Sequence, residues 1–212
     1  MNNELIKRII SSIILIPIAL FFIIKGSFFF IFFICICFCI IVYEWHMMSK
    51  NKPYYFYGLF FLIFSFLSIY SLRIDANDYL VTLLVATICV STDIGGYVFG
   101  KLFKGPKLTK YSPNKTYAGM FGGYFLSLIS VNMIPHFNFE LMQFSEFLFV
   151  IGISTVSQIG DIIISYFKRL SNIKDTGKII PGHGGLLDRI DGMIFAFPIS
   201  YLILKTNIIQ FF

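Results

Sequence analysis

Long apolar runs separated by short polar segments make up most of this chain. The hydrocarbon core of a bilayer, about 30 Å thick, is crossed by roughly 17 to 25 mostly apolar helical residues whose backbone groups bond one another. Each long apolar run therefore predicts a membrane-spanning helix, and we expect an all-α, polytopic integral membrane helical bundle. The seven predicted spans cover residues 8–24, 27–43, 55–72, 79–100, 117–135, 146–167 and 191–210.

The composition excludes an ordinary soluble domain. Of the 212 residues, 57% are hydrophobic and 13% are charged, whereas soluble domains have about 45 to 50% and about 25%. The four cysteines lie inside apolar runs and are interpreted as packing residues rather than as a disulfide or metal framework. Because no internal repeat is present, we expect a single membrane domain over 1–212, with N-terminal spans in 1–90 and catalytic spans and loops in 91–212.

The basic residues are distributed unevenly between the two sides of the predicted spans. One side carries fourteen lysines and arginines, and the other carries three, Lys25, Arg73 and Lys205. Short cytoplasmic loops retain the excess of positive charge. The N-terminus and the two long polar loops, 101–116 and 168–190, are therefore predicted to be cytoplasmic. Basic and aromatic residues are not interleaved on soluble segments, so nucleic acid is not an expected partner.

Four acidic residues are candidates for a functional site. Asp93 and Asp161 fall within predicted spans, where an ionisable group is costly unless it faces protein or water. Asp188 and Asp191 stand at the entrance to the last span. The predicted topology brings all four toward the cytoplasmic ends of their helices, where we expect one site to collect them.

A polar stripe follows the sixth predicted span. Its members recur at intervals of three or four residues and so share one helix face. For the serines alone, bonding between membrane helices explains the pattern as well as a functional role does. For Asp161, beside Gly160, we favour binding of a metal and a phosphorylated ligand. The stripe consists of Ser154, Ser157, Asp161, Ser165 and Lys168.

The segment 165–191 mixes both signs of charge at high density. It holds five basic residues, three carboxylates, one histidine and four glycines within 27 positions. Lysine and arginine contact phosphate, aspartate supplies oxygen ligands for magnesium, and glycines let backbone amides approach a phosphate closely. Because carboxylates do not bind phosphate without an intervening cation, the mixture favours a metal-bridged polyphosphate.

The loop 101–116 contains five lysines and no acid. Positive-inside topology alone accounts for the first four lysines as well as a binding role does. Ser112, Lys115 and Thr116 are more specific, because Thr116 is placed to cap the next helix and leaves Lys115 near its N-terminus, where phosphate binding is favoured. The run GGYVFGK at 95–101 fits part of a phosphate-binding loop, but Leu102 replaces the required Ser or Thr, so we reject that interpretation.

These motifs resemble those of the phosphatidate cytidylyltransferases, also called CDP-diacylglycerol synthases. The segment 165–191 is similar to the family's C-terminal motif position for position, and 93–100 and 112–123 are similar to its upstream motifs. Tyr117 and Ala118 stand where the family usually has Trp and Glu, and the chain is shorter than most bacterial members. The matching positions of the C-terminal motif are Ser165, Lys168, Arg169, Lys174, Asp175, Pro181, Gly182, His183, Gly184, Gly185, Asp188, Arg189 and Asp191.

The resemblance implies an enzyme of a bacterial-type inner (plasma) membrane that faces the cytoplasm. It would join CTP to phosphatidate, with magnesium, to give CDP-diacylglycerol and pyrophosphate. The metal ligands carried over are Asp161 and Asp188. The catalytic residues carried over are Asp93, Lys168, Arg169, Lys174, Asp175 and Asp191. The substrate-binding residues predicted are Ser112, Lys115, Thr116, Ser165, His183, Gly184, Gly185 and Arg189.

Other interpretations remain open from the sequence alone. A CTP-dependent lipid kinase, or a cytidylyltransferase for another lipid phosphate, would use similar loops. An ion-coupled transporter would also place acids in spans, but it favours mid-span carboxylates and repeated halves, which this sequence does not have. The sequence also leaves open a homodimer and a second, monovalent cation.

Overall fold

The computed structural model describes residues 15–75, 79–109, 112, 114–134, 142–180 and 184–206. These residues form helices and no strand, with two isolated bridges, Lys107 to Thr116 and Ile180 to Gly184. The predicted all-α class is confirmed. The helices are α1 (described over Leu15–Lys25), α2 (Ser27–Ser49), α3 (Tyr55–Asp75), α4 (Leu80–Phe103), α5 (Tyr117–Ser130), α6 (Phe144–Leu170), α7 (Leu187–Ile190) and α8 (Met193–Lys205).

A helix lies at each of the seven predicted spans, although the lengths differ. Four helices, α2, α3, α4 and α6, are long and apolar enough to cross a membrane. Helix α5 has 14 residues, or about 21 Å. It ends before the predicted limit at 135 and continues as a 3₁₀ turn, Val131–Met133. The extended backbone of Ile134 explains this end, because a residue that precedes a proline is disfavoured in helical conformation.

The chain divides into two compact units, which are described separately. Unit 1 comprises Met1–Tyr79 and Lys168–Ile190, and unit 2 comprises Leu80–Phe167 and Asp191–Phe212. Helix α6 contributes residues to both units, since its last three residues belong to unit 1. The sequence prediction of a single membrane domain stays a prediction.

In unit 1, a tight connection joins α1 to α2. Gly26 lies between them with φ +63°, a conformation that glycine adopts without steric cost. The Nε of Arg73 donates to the carbonyl of Ile23 at 3.1 Å, which satisfies one of the free carbonyl groups at the end of α1. This basic residue therefore attaches α3 to the end of α1.

Helix α2 is longer than predicted. The sequence placed its end at residue 43, but the helix continues to Ser49, whose hydroxyl donates to the carbonyl of Trp45 at 2.6 Å. The indole of Trp45 donates to the carbonyl of Tyr55 at 3.0 Å. These contacts hold the connection between α2 and α3, so a polar stretch that hydropathy assigned to a loop is helical.

In unit 2, α4 and α5 pack with their backbones in contact. A Cβ atom added at Gly95 would collide with the carbonyl of Gly122, and one added at Gly119 would lie 2.6 Å from the carbonyl of Gly96. Small residues permit this approach between membrane helices. Gly95 and Gly96, which belong to the run rejected above as a phosphate-binding loop, therefore lie in a helix interface. We call this interface the α4–α5 seam.

Hydroxyl groups connect α6 to its neighbours in unit 2. Ser154 and Thr92 share a hydrogen bond of 2.7 Å between buried side chains, and Tyr124 and Thr155 share one of 2.9 Å. Ser157 is buried against Gly192. Of the two interpretations of the serine stripe, Ser154 follows the one in which hydroxyls bond membrane helices together.

Candidate functional site

Asp188, on α7 in unit 1, accepts three hydrogen bonds. Its Oδ1 accepts from the Nζ of Lys168 at 2.8 Å, and its Oδ2 accepts from the backbone amides of Thr176 at 2.8 Å and Gly185 at 3.0 Å. The side chains of Lys168 and Asp188 are 11% and 6% exposed. We call this group the Lys168–Asp188 centre.

Local signals at the end of α6 explain where Lys168 stands. Asn172 adopts a left-handed conformation with φ +57°, which asparagine tolerates better than most residues and which commonly ends a helix. The amide of Ile173 then donates back to the carbonyl of Lys168 at 3.0 Å. The chain leaves the helix directly after the basic pair, and Arg169 donates to the carbonyl of Ile173 at 3.3 Å.

The loop between α6 and α7, residues 171–186, carries most of the remaining predicted site residues of unit 1. Lys174 and Asp175 are exposed. Gly184 has φ +86°, and a Cβ atom there would lie 2.9 Å from Oδ2 of Asp188, so glycine is required by both conformation and space. Gly185 is buried, and Arg189 is exposed on α7. Pro181, Gly182 and His183 lie outside the described residues.

Sequence reasoning missed Glu44, on α2. Its side chain is 1% exposed, and its carboxylate accepts from the amides of Leu186 at 2.9 Å and Leu187 at 2.8 Å and from the hydroxyl of Thr176 at 3.2 Å. The signal existed, since Glu44 directly follows an apolar run and buried carboxylates in membrane helices are usually functional. It was overlooked because the predicted span ended one residue earlier.

Unit 2 contains a second pair of opposite charges, between Lys115 and Asp161. Their side chains are 25% and 23% exposed. Oδ1 of Asp161 also accepts from the hydroxyl of Ser165, one helical turn further along α6, at 3.3 Å. We call these three residues the Lys115–Asp161 group. Lys115, which the sequence predicted in a separate loop, therefore joins two members of the predicted polar stripe.

Backbone bonds in the α4–α5 loop position Lys115. Its carbonyl accepts from Leu108 at 2.8 Å, and its amide donates to the carbonyl of Ser112 at 3.1 Å. Thr116 caps α5 as predicted, because its hydroxyl accepts from the amide of Gly119 at 3.1 Å. The amide of Ser112 donates to the hydroxyl of Thr109 at 3.1 Å.

Two predicted acids in unit 2 lie outside the Lys115–Asp161 group. Asp93 is exposed on α4. Asp191 is 6% exposed, and its Oδ1 accepts from the amide of Gly192 at 2.8 Å. Asp161 and Asp188 belong to different units, and the prediction that they share one site stays a prediction.

Each carboxylate taken alone has the donor chemistry that magnesium requires. A carboxylate has about four lone-pair positions, of which Asp188 uses three and Asp161 uses two in the contacts given above. Within the described part of the chain, no cluster of three or more His, Cys, Asp or Glu residues forms a metal cage. Magnesium is usually held by one or two carboxylates together with substrate phosphates and water.

Comparison with known proteins places the chain in a family. The model described as the cytidylyltransferase family matches residues 53–207. The phosphatidate cytidylyltransferase of Rickettsia felis is 36% identical over 95% of this chain and 93% of its own length. That of Staphylococcus haemolyticus is 36% identical over 77% of this chain and 65% of its own length, and that of Brucella suis is 38% identical over 68% and 54%. Glu44 lies before the segment that the family model matches.

Proposed function

This chain belongs to the cytidylyltransferase family, and we propose on that premise that it transfers CMP from CTP to phosphatidate. The products are CDP-diacylglycerol, for phospholipid synthesis, and pyrophosphate. The relatives described above carry the name of this activity. The observation in the structure that supports it best is the Lys168–Asp188 centre, since it is a charged, hydrogen-bonded site in a chain of apolar helices.

The reaction needs relief of charge repulsion more than a strong base. A phosphate monoester has a second pKa of about 6, so phosphatidate is largely dianionic at neutral pH. One of its oxygens attacks the α-phosphorus of CTP, and the bond from that phosphorus to the bridging oxygen breaks as pyrophosphate leaves. Two anions must approach each other, and negative charge grows on the leaving group.

The basic residues of each unit are suited to this task. In unit 1, phosphate oxygens would be bound by Lys168 of the Lys168–Asp188 centre and by the exposed Lys174 and Arg169. In unit 2, we expect Lys115 of the Lys115–Asp161 group to exchange its bond to Asp161 for one to phosphate. The other predicted substrate-binding residues are Ser112, Thr116, Ser165, His183, Gly184, Gly185 and Arg189, and the further acids in the proposal are Asp93, Asp175 and Asp191.

Magnesium is part of the proposal, with Asp161 and Asp188 as its ligands. The support is the sequence resemblance and the donor chemistry of each carboxylate. When bound, the ion would neutralise charge on the phosphates of CTP. A second, monovalent cation and a homodimer remain questions for experiment.

We further propose that the protein lies in a bacterial-type inner membrane with its site on the cytoplasmic side. The support is the distribution of lysine and arginine, fourteen against three, across the spans predicted from the sequence. This orientation gives the polar loops access to CTP while the acyl chains of phosphatidate remain in the bilayer.

The test is an incubation of the purified protein with magnesium, CTP labelled in the cytidine and phosphatidate. We expect the label to enter the organic phase and pyrophosphate to be released in equal amount. A CTP-dependent lipid kinase would instead leave labelled CDP in the aqueous phase. Label that remains in unreacted CTP under all conditions would refute the proposal.

A further inference from the structure

The buried carboxylate of Glu44 is bonded to the loop that carries the candidate site, although it lies more than 130 positions away in sequence. Its Oε1 accepts from Leu186, and its Oε2 accepts from Leu187 and from the hydroxyl of Thr176, at 2.8 to 3.2 Å. All of these residues belong to unit 1.

Glu44 and Asp188 accept hydrogen bonds from neighbouring backbone amides of the same loop. Of three consecutive amides, that of Gly185 donates to Asp188, and those of Leu186 and Leu187 donate to Glu44. Thr176 serves both carboxylates, because its amide donates to Asp188 and its hydroxyl to Glu44. A displacement of the loop away from Glu44 would therefore also change the amides that orient Asp188.

The loop has space for this carboxylate because glycines face it. A Cβ atom at Gly177 would lie 2.7 Å from Oε1 of Glu44, and one at Gly185 would lie 2.6 Å from Oε2. Any larger residue at either position would push the carboxylate away from the amides. These two glycines therefore have a packing role that is distinct from contact with phosphate.

A second contact fixes the start of the same loop to the N-terminal helices. The hydroxyl groups of Tyr54 and Ser171 are 2.8 Å apart, and the ring of Tyr54 packs edge-on against Trp45, the neighbour of Glu44 on α2. Both ends of the α6–α7 loop are thus attached to the segment from Glu44 to Tyr54.

We infer that Glu44 is a positioning residue for the reaction, which holds the α6–α7 loop so that Asp188 and Lys168 keep their orientation. This inference rests on the proposed function. Glu44 itself does not touch the Lys168 ammonium group in any contact described above, and it acts through Thr176 and the backbone of residues 185–187. The N-terminal helices would then contribute to catalysis, because α2 would hold the loop that orients Asp188 and Lys168.

The first experiment compares Glu44→Gln with the unaltered protein in detergent. Glutamine keeps the volume but replaces one acceptor oxygen by an NH2 donor that must face an amide of Leu186 or Leu187. We expect kcat per folded enzyme to fall about 10- to 100-fold, as small misplacements of reacting groups do, while KM for CTP changes less than about threefold. Hydrogen exchange at Leu186 and Leu187 should become faster.

The matched control is Glu146→Gln. Glu146 also accepts from a backbone amide, that of Gln143 at 2.9 Å, but at the start of α6 in unit 2. The kcat of Glu146→Gln should stay within about twofold of that of the unaltered protein, since a single exposed hydrogen bond contributes little to stability. A loss equal to that of Glu44→Gln would overturn the inference.

A second variant, Thr176→Val, removes only the hydroxyl that bonds Glu44. It tests the positioning role of Glu44 if Glu44→Gln does not fold. We expect it to lower kcat about threefold or more, and the two changes combined to cost less than the product of the single effects. An unchanged kcat per folded enzyme in both single variants would overturn the inference about Glu44 but not the proposed function. An inert unaltered protein would overturn the proposed function, and the positioning role with it.

Discussion

Two lysine–aspartate pairs, one in each unit, use the same chemistry in different surroundings. In the Lys115–Asp161 group the side chains are about one quarter exposed, and the further donor to the carboxylate is the Ser165 hydroxyl at 3.3 Å. In the Lys168–Asp188 centre they are 11% and 6% exposed, and the carboxylate also accepts two backbone amides at 2.8 and 3.0 Å.

Because of this difference, loss of the Lys115–Asp161 pair should affect activity without much effect on stability, whereas loss of the Lys168–Asp188 pair should affect both. An exposed ion pair contributes about 0 to 1 kcal/mol to folding, whereas removing one partner of a buried pair costs about 3 to 5 kcal/mol. The Lys115–Asp161 group can therefore exchange its internal bond for a bond to a ligand at little cost. The bond between Lys168 and Asp188, in contrast, forms when the α6–α7 loop folds and is costly to break.

The largest effect is expected from Asp188→Asn. The variant leaves Lys168 without its carboxylate and places an amide group against the N–H groups of Thr176 and Gly185. We expect activity to fall by at least about a thousandfold and the free energy of unfolding to fall by about 3 kcal/mol. Thermal melting in detergent and release of pyrophosphate are the measurements. A stability equal to that of the unaltered protein would contradict the description of this centre as a buried pair with three hydrogen bonds to Asp188.

Asp161→Asn should separate the two properties. Activity should fall at least about a hundredfold if this carboxylate is a magnesium ligand, while the free energy of unfolding changes by less than about 1 kcal/mol. The same two measurements apply, with Glu146→Gln as the control for loss of a carboxylate elsewhere on α6. Full activity of Asp161→Asn would remove it from the proposed metal site.

Lys115→Ala should have a smaller effect on catalysis. Loss of one charge-assisted bond to phosphate is expected to lower kcat/KM about tenfold. The control is Lys52→Ala, since Lys52 is an exposed lysine in the connection between α2 and α3, and we expect it to change kcat/KM by less than about twofold. Equal effects of the two variants would mean that Lys115 contributes to topology alone.

The smallest effect is a difference in chemical labelling of the lysines. With an amine acylating reagent and analysis by mass spectrometry, Lys115 should react faster than Lys168, because its side chain is more exposed and its partner has fewer other bonds. Lys52 gives the rate for an exposed lysine. Equal rates at Lys115 and Lys168 would show that the two pairs do not differ in accessibility as described.

Much of the fold could be predicted because helix formation in a membrane depends on local composition. Runs of apolar residues located α2, α3, α4 and α6, and Thr116 identified the start of α5. The stripe on α6 also correctly grouped Asp161 with Ser165, since residues four apart lie on the same helix face.

The rest could not be predicted because it depends on contacts between distant residues. Glu44 and Leu186 are separated by 142 positions, and no periodicity within either segment indicates that they meet. The same holds for the two amides that orient Asp188, since a backbone group carries no signal in the amino-acid sequence. Hydropathy located the polar loop, and the fold determines which of its atoms face each carboxylate.

The α4–α5 seam has a mechanical consequence for Lys115. Where two helices meet through backbone atoms, no flexible side chain is available to absorb a shift, so the contact behaves as a stiff joint. Lys115 stands directly before Thr116, the N-cap residue of α5, and it would follow any tilt of that helix. Gly95 and Gly119 permit this close approach of the backbones. We therefore expect a single added methyl group at either position to displace α5 and, with it, to shift Lys115 relative to Asp161.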